Sequence, residues 1–256
     1  MHQLISYIKF LLKSTNQHGV HSPFIFDLVT KCLYDKTAYP EYDQLKTYRQ
    51  HLKGSSTVLE IKDLGMGSKR LPSTKRKVSS MVNTSSSSIK TAQLLFRLSH
   101  YLNCKNALEL GTSLGMATYA ITLGQKEGQL TSIEGCPNTS NFAKQQLDSK
   151  GISNVEYKIG DFTALIPSLQ TETYDLIFFD GHHQKAATLN YFNALLPKAH
   201  NDSVFIFDDI YWSKGMTEAW EMIKAHPKVT VTVDTFQLGL VFFRSQQQKQ
   251  HFKIRV

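Results

Sequence analysis

The chain has 256 residues, of which 41% are hydrophobic and 20% charged, and its formal net charge is +8 at pH 7. This length suits one large domain, or one domain with an N-terminal appendage. No run approaches the roughly 20 apolar residues of a membrane span, so no membrane partner is expected. The cysteines are Cys32, Cys104 and Cys136. Thiols so few and widely spaced predict neither a disulfide framework nor a zinc cluster, and they favour a reducing, cytoplasmic location.

The first part of the chain, 1–88, is predicted to be a helical and loop extension, placed either on the substrate side or at a subunit contact. Residues 1–14 place apolar side chains at helical spacing with lysines between them, and no small-residue cleavage site follows. They therefore predict an amphipathic helix, not a signal peptide. A second helix is expected over 24–34, and the polar stretch 69–88 predicts a loop.

The rest of the chain, 89–256, is predicted to be one α/β domain. It opens with a helix over 89–102, for which the serine run 85–88 supplies an N-cap. Strand and helix patterns then alternate so regularly that they predict a doubly wound, Rossmann-like sheet of seven strands, mostly parallel. The predicted strands are 106–110, 129–134, 155–160, 174–180, 203–208, 229–236 and 240–244. The predicted helices between them are 114–126, 137–150, 163–169, 184–196 and 214–225.

The last two predicted strands are separated only by Gln237, Leu238 and Gly239. Because so short a link cannot hold a crossover helix, it predicts an antiparallel hairpin at the edge of the sheet. This ending departs from a nicotinamide dehydrogenase, whose second half repeats the parallel pattern.

The segment from Glu109 to Gly115 joins the first predicted strand to a helix expected to start near Ser113. Gly111 and Gly115 allow a tight turn and a close approach of the backbone to a ligand, and the helix start offers free N–H groups. This arrangement is typical of a nucleotide-type ligand site. The carboxylate of Glu109 would repel a pyrophosphate, whereas it would attract a zwitterionic amino-acid group beside a sulfonium.

A second glycine pattern, 63–67, copies the first only superficially. The basic, proline-containing stretch 69–77 follows it, so no helix start is offered to a ligand, and the preferred interpretation is a lid or a substrate-side segment. The lysine and arginine side chains of 69–77 would suit a phosphate-bearing partner, with a solvated basic surface as the alternative.

The acids at the strand ends resemble those of class I S-adenosylmethionine-dependent methyltransferases over more than half of the chain. Glu109 to Gly115 looks like the family's first motif, with Ser113 where many members carry a glycine, a change that small-molecule O-methyltransferases tolerate. Glu134 follows about 20 residues later, where an acid accepts both ribose hydroxyls. In the family, an Asp in the place of Asp161 takes the adenine amine. The cofactor residues implied by the resemblance are Glu109, Gly111, Thr112, Ser113, Gly115, Glu134, Gly160, Asp161, Phe162 and Asp180.

Three carboxylates, from Asp180, Asp208 and Asp209, are expected to converge at the carboxyl ends of the fourth and fifth strands. At about 4 Å and an effective dielectric near 20, each close like-charge pair costs on the order of 4 kcal/mol. Such a cluster needs a cation, a shared proton or splayed side chains. Oxygen-only ligands favour magnesium, manganese or calcium over zinc.

The same carboxylates resemble the metal ligands of O-methyltransferases that act on catechols, phenols or antibiotic sugars, where one divalent ion binds two substrate oxygens. By that resemblance, Asp180, Asp208 and Asp209 would bind Mg²⁺, Mn²⁺ or Ca²⁺. His183 stands where some sugar-modifying relatives carry a base, so His183 and Asp180 are the predicted catalytic residues. Two alternatives stay open: such strand ends also occur in members without metal, and His183 would equally suit a helix cap or a cofactor contact.

The predicted function is therefore transfer of a methyl group from S-adenosylmethionine to an oxygen of a small-molecule acceptor. Tyr211 and Trp212 are expected either to form an aromatic wall for that acceptor or to lie in the core. One alternative is a transfer RNA acceptor, with 69–77 holding phosphate. Another is a non-catalytic protein that binds the adenosyl ligand or a partner. The apolar N-terminal helices are expected to pack either onto the core or onto a second subunit in a homodimer.

Overall fold

The structure is a computed structural model that describes residues 1–61, 74–125 and 127–256. The second glycine pattern, 63–67, lies outside the described residues. So does the first part of the basic stretch that follows it.

The chain forms two compact units. One unit is Lys36–Ser168, here called the motif unit, and the other combines Met1–Asp35 with Leu169–Val256 and is here called the terminal unit. The predicted boundary between residues 88 and 89 stays a prediction.

A helix is present at each position predicted from the sequence pattern. The one predicted over 24–34 is an α-helix only to Leu28 and continues as a π-helix over Val29–Leu33, and the one predicted over 163–169 continues after Leu165 as a 3-10 helix. In the described residues the α-helices are α1 (His2–Lys13), α2 (Pro23–Leu28), α3 (Pro40–Gly54), α4 (Val78–Met81), α5 (Ile89–Tyr101), α6 (Met116–Gly124), α7 (Pro137–Asp148), α8 (Phe162–Leu165), α9 (Lys185–Leu195) and α10 (Lys214–Ala225). The predicted serine cap of α5 is Ser88, whose side chain accepts a hydrogen bond from the Thr91 N–H at 3.1 Å. Helices α3 and α4 were not predicted.

The seven predicted strands are also confirmed, and three more are present. In the described residues the strands are β1 (Val58–Glu60), β2 (Lys75–Lys77), β3 (Asn106–Leu110), β4 (Gln129–Glu134), β5 (Val155–Ile159), β6 (Tyr174–Phe179), β7 (Ala199–Asp208), β8 (Val231–Asp234), β9 (Leu238–Phe242) and β10 (Gln250–Lys253). The prediction of a loop over 69–88 is wrong for 75–81, which form β2 and α4, whereas 82–88 contain no helix or strand. Val78 and Met81 are buried there and anchor the polar stretch to the core.

In the motif unit, β3, β4 and β5 are parallel neighbours, in that order. Leu110 at the end of β3 pairs with Ile133, and Glu134 pairs with Ile159 at the end of β5. This register brings the glycine turn after β3, Glu134 and Gly160 to the same end of the three strands. The short strands β1 and β2 form a separate antiparallel pair.

In the terminal unit the strand order is β10, β8, β9, β7, β6. Strands β6 and β7 are parallel, with Phe179 paired to Phe207, so Asp180 and Asp208 follow at the same end. The antiparallel hairpin of β8 and β9 is confirmed. Its predicted place at the sheet edge is wrong, because β10 pairs in parallel with β8 and takes that edge. Among the described residues, no helix is long and apolar enough to cross a membrane.

Candidate functional site

The turn after β3 holds three residues with positive φ: Gly111 (108°), Ser113 (47°) and Gly115 (75°). The Gly111 N–H donates to the Ile133 carbonyl oxygen at 2.9 Å, which ties the turn to β4. A Cβ at Gly115 would lie 3.2 Å from the Cβ of Ala143 in α7, so the close packing of α7 leaves little space for a side chain at this position. Helix α6 begins at Met116, two residues later than predicted, because the left-handed Gly115 is its N-cap.

Ser113 has a left-handed backbone without being glycine, a conformation that costs about 1–3 kcal/mol. Two hydrogen bonds hold it there. Its N–H donates to Glu134 Oε2 at 2.9 Å, and its hydroxyl donates to the Ser85 carbonyl oxygen. The residue that departs from the family's glycine is therefore built into the turn by specific partners.

Glu134, the acid predicted to bind ribose, also closes the turn. While Oε2 accepts from Ser113, Oε1 accepts from the Cys136 N–H at 3.0 Å. A carboxylate has about four lone-pair sites, and each of these N–H groups takes one of them. Glu134 thus connects the end of β4 with the turn after β3.

Glu109 is completely buried, and its Oε2 accepts hydrogen bonds from the hydroxyls of Thr118 (2.6 Å) and Ser132 (2.5 Å). Its Oε1 has no partner among the described residues. Burial is the main reason that the pKa of Glu109 rises to about 7; the hydroxyl hydrogen bonds act in the opposite direction. The predicted cofactor residue Thr112 joins the same network through its hydroxyl, 2.5 Å from Ser132 Oγ, so its backbone is the part left for a ligand.

The adenine side of the predicted site lies after β5. Gly160 has a φ of 154°, and a Cβ there would lie 3.1 Å from a methyl of Leu165. Asp161 caps α8, since its Oδ1 accepts from the Thr163 N–H at 2.8 Å, while Phe162 is buried. Asp161 therefore acts as a helix N-cap. Its exposed carboxylate keeps further lone pairs that could accept a hydrogen bond from the adenine amine.

Helix α3 supports the glycine turn, which the sequence analysis did not anticipate. The buried hydroxyl of Tyr48 donates to the Leu114 carbonyl oxygen at 2.6 Å, inside the turn. The neighbouring Arg49 donates to the carbonyl oxygens of Ser87 (2.9 Å) and Val82 (3.1 Å). The available signal was Pro40 at the first helical position, with buried residues following at helical spacing: Leu45, Tyr48 and Leu52.

In the terminal unit, Asp180, His183, Asp208 and Asp209 lie together. His183 Nε2 is 3.6 Å from Asp180 Oδ1, and the two side chains are 30% and 18% exposed. Asp208 lies beside Asp180 and Asp209, and both affect its pKa. Carboxyl groups that lie close together oppose each other's ionisation.

Burial dominates the protonation of this cluster. It raises the pKa of Asp208 to about 7, and the neighbouring charge of Asp209 raises it further. Burial also raises the pKa of Asp209, with His183 acting in the opposite direction. The pKa of His183 is lowered by burial, against the opposing effect of Asp209. A neutral imidazole beside carboxyl groups is therefore the favoured state near pH 7.

The predicted metal ligands have suitable chemistry, since Asp208 Oδ1 is a buried oxygen without a partner in the described structure. Their side chains, however, do not surround a common point where an ion could bind. No three His, Cys, Asp or Glu side chains in the described parts of the chain are placed to hold a metal ion. The described structure therefore shows no preformed three-ligand centre.

The two aromatic residues after Asp209 differ in their surroundings. Tyr211 is a core residue: it is buried, its hydroxyl donates to Asp234 Oδ2 at 2.5 Å, and its ring stacks on Phe236 at 5.1 Å. Trp212 is 43% exposed, so only Trp212 keeps a face for a flat acceptor. His182, which received no predicted role, contacts the Tyr191 hydroxyl through Nδ1 at 3.1 Å.

Residues 108–210 match the family model of a methyltransferase domain. The matched segment contains the glycine turn, Glu134, Asp161 and the carboxylates after β6 and β7. The comparison with curated proteins finds no match.

Several solved structures are similar in fold. The SAH-bound methyltransferase PaMTH1 of Podospora anserina has a TM-score of 0.62 and 12% identity, covering 88% of this chain and 97% of its own. The O-methyltransferase TomG of Streptomyces achromogenes, involved in tomaymycin synthesis and solved with SAM, has a TM-score of 0.58 and 18% identity. The match covers 82% of this chain and 92% of TomG. The O-methyltransferase of Bacillus cereus in complex with SAH has a TM-score of 0.53 and 17% identity. The match covers 86% of this chain and 97% of the Bacillus protein.

Identities this low establish the fold alone, a Rossmann-like, mostly parallel α/β fold. The family match shows that residues 108–210 are similar to a methyltransferase domain.

Proposed function

We propose that the protein transfers a methyl group from S-adenosylmethionine to an oxygen atom of a small acceptor molecule. The observation that carries the proposal is the turn 111–115, whose left-handed residues are fixed by the Glu134 carboxylate. Holding Ser113 in that conformation costs free energy, and strain of this kind concentrates at ligand sites. The solved O-methyltransferases of similar fold that were crystallised with SAM or SAH support the same assignment.

The described residues suit each part of this methyl donor. Glu134 would bind the ribose hydroxyls, and Asp161 with Phe162 would hold the adenine. The unpartnered Oε1 of Glu109 would accept from the ammonium group, directly or through water. When bound, the donor supplies a methyl group on a positively charged sulfur, which leaves as the neutral thioether.

His183 is the proposed proton acceptor. In the transfer, Nε2 of His183 would accept the proton of the acceptor hydroxyl, and the donor's sulfur would keep the electron pair of the broken sulfur–carbon bond. Asp180 Oδ1, 3.6 Å from that nitrogen, would stabilise the resulting imidazolium.

The test combines calorimetry with turnover on catechol and simple phenols. We expect S-adenosylhomocysteine to bind and NAD not to bind, and His183→Gln to lower kcat by about 10²–10⁴ with unchanged affinity for S-adenosylhomocysteine. His182→Gln, at the adjacent position, is the matched control and should retain turnover. Tight NAD binding without a response to the adenosyl ligand would refute the methyltransferase assignment, and full turnover in His183→Gln would refute the base.

Metal assistance is the second candidate, and the unpartnered Asp208 Oδ1 is the observation that favours it. Turnover in EDTA separates the two forms of the proposal. Unchanged turnover supports His183 acting alone, whereas loss that magnesium restores would assign Asp180, Asp208 and Asp209 to a divalent ion.

The remaining alternatives have their own signatures. A transfer RNA acceptor would use the described basic residues of β2, Lys75 to Lys77, and its binding would fall steeply with salt. A protein that binds S-adenosylhomocysteine but turns over none of these acceptors and no RNA would be the non-catalytic alternative.

A further inference from the structure

Helix α1 is attached to the terminal unit by a narrow face. Its buried residues are Ser6 and Phe10, and the Phe10 ring lies 5.6 Å from that of Phe236. At its start, His2 Nε2 is 3.0 Å from the Thr217 hydroxyl of α10. After its end, the Thr15 N–H donates to the Lys253 carbonyl oxygen at 2.8 Å. Contacts at both ends and in the middle therefore fix the rotation of the helix about its axis.

The broad apolar face of α1 points away from the protein. It consists of Leu4 (64% exposed), Ile5 (47%), Ile8 (51%), Leu11 (36%) and Leu12 (81%), here called the aliphatic stripe. The spacing i, i+1, i+4, i+7 and i+8 is the pattern by which a surface helix normally packs on its own core. In α1 that face is outside, and the core contact is made by the opposite side of the helix.

The charges on α1 have one sign. Lys9 and Lys13 are exposed beside the aliphatic stripe, and the helix contains no Asp or Glu. The whole chain carries a formal net charge of +8. An apolar face bordered by lysines, on a helix of this kind, is the arrangement that binds in the interface of an anionic bilayer, with its apolar side chains about 5–10 Å deep.

From this geometry we propose that α1 docks the protein onto an anionic lipid surface through the aliphatic stripe. A second copy of the chain suits the stripe less well. Two copies would bring Lys9 and Lys13 of each close to those of the other, and five side chains are a small part of the roughly 20–30 residues per side of a stable interface. An anionic bilayer instead offers both an apolar layer and charges of the opposite sign.

This inference replaces the expectation of no membrane partner, which rested on the absence of a run long enough to span a bilayer. Lying in the interface requires no such length. It requires an apolar face turned outward, and only the placement of Ser6 and Phe10 against the protein shows that α1 has one.

The test is flotation of the full-length protein with vesicles of phosphatidylcholine alone and of phosphatidylcholine mixed with phosphatidylglycerol. We expect binding to the mixed vesicles, weakened by salt, and little binding to phosphatidylcholine alone. The triple variant Leu4→Gln, Ile8→Gln, Leu12→Gln should lose at least about tenfold in affinity. Replacing Lys9 and Lys13 by Gln should lose about fivefold per lysine.

Met222→Gln is the matched control, because Met222 is an exposed apolar residue of α10, 51% exposed and outside the stripe. Thermal unfolding and binding of S-adenosylhomocysteine should be unchanged in each variant, which shows that the fold is intact. Two results would overturn the proposal: equal vesicle binding by the triple variant and the parent protein, or a dimer in light scattering that the triple variant converts to a monomer.

Discussion

Glu109 is completely buried, and one of its carboxyl oxygens lacks a partner in the described structure. Its ionisation should therefore contribute to the pH dependence of the free energy of unfolding. Its pKa is about 7 in the folded protein, above the ordinary 4.5. Between these values the native state binds more protons than the unfolded state, and the free energy of unfolding therefore falls as pH rises. The contribution is fully present below pH 4.5 and is lost as pH rises through about 7.

Glu109→Gln removes this titration while keeping a side chain of the same size. We expect the parent protein to lose on the order of 3 kcal/mol more than the variant between pH 4.5 and pH 8. Urea unfolding at both pH values measures the difference. Glu127→Gln, at a carboxylate that is 84% exposed, is the control and should keep the parent's slope. Identical slopes for the parent and Glu109→Gln would show that the carboxyl does not titrate in this range.

At the scale of single residues, the sequence indicated which acids matter but not how each is placed. Strand ends and spacing were enough to locate Glu109, Glu134 and Asp161. The left-handed backbone of Ser113 was not predictable, because its stabilising partners come from residues distant in the sequence. The same holds for the raised pKa of Asp208, since strand order predicts that Asp180 and Asp208 lie close together but not how deeply Asp208 is buried.

Among the elements, α3 has the clearest consequence for the site. The Tyr48 hydroxyl is the described partner of the Leu114 carbonyl oxygen in the glycine turn, and Tyr48 is fully buried. Tyr48→Phe keeps the ring and leaves that carbonyl without its donor, which costs about 1–3 kcal/mol. We expect the variant to unfold at lower urea concentration and to bind S-adenosylhomocysteine more weakly.

The control for this change is Tyr7→Phe, which removes the hydroxyl of a tyrosine that is 43% exposed and makes an edge contact to Phe236. It should change the free energy of unfolding by less than about 0.5 kcal/mol. If Tyr48→Phe lowers stability but leaves the affinity for S-adenosylhomocysteine unchanged, α3 supports the fold without supporting the ligand site.

The elements that were predicted and those that were missed differ in how they are buried. Strands β6 and β7 each contain a continuous buried apolar run, 176–179 and 204–207, as expected for strands covered on both faces, and this signal is strong. Helix α3 buries only three residues and is otherwise polar. Strand β10 has none of its residues fully buried, and it is specified by pairing with β8, not by apolar periodicity. A pattern of hydrophobicity cannot indicate contacts that depend on backbone pairing.

At the scale of the whole molecule, the proposed methyl donor is expected to stabilise the folded chain. A ligand that binds only the native state adds about 2.7 kcal/mol at a concentration of 100 times its Kd. S-adenosylhomocysteine should therefore raise the Tm of the parent protein by several degrees. Because this stabilisation depends on the closed turn, it should depend on the residue that closes it.

Glu134→Gln tests that dependence. A glutamine has one acceptor oxygen, so it cannot accept from both the Ser113 and Cys136 N–H groups and also bind a diol. We expect the rise in Tm with S-adenosylhomocysteine to fall to a small fraction of the parent value. Glu156→Gln, at a surface carboxylate paired with Lys158, should keep the full rise. An unchanged rise in Glu134→Gln would mean that the adenosyl ligand is held elsewhere, and the turn after β3 would then be a structural feature alone.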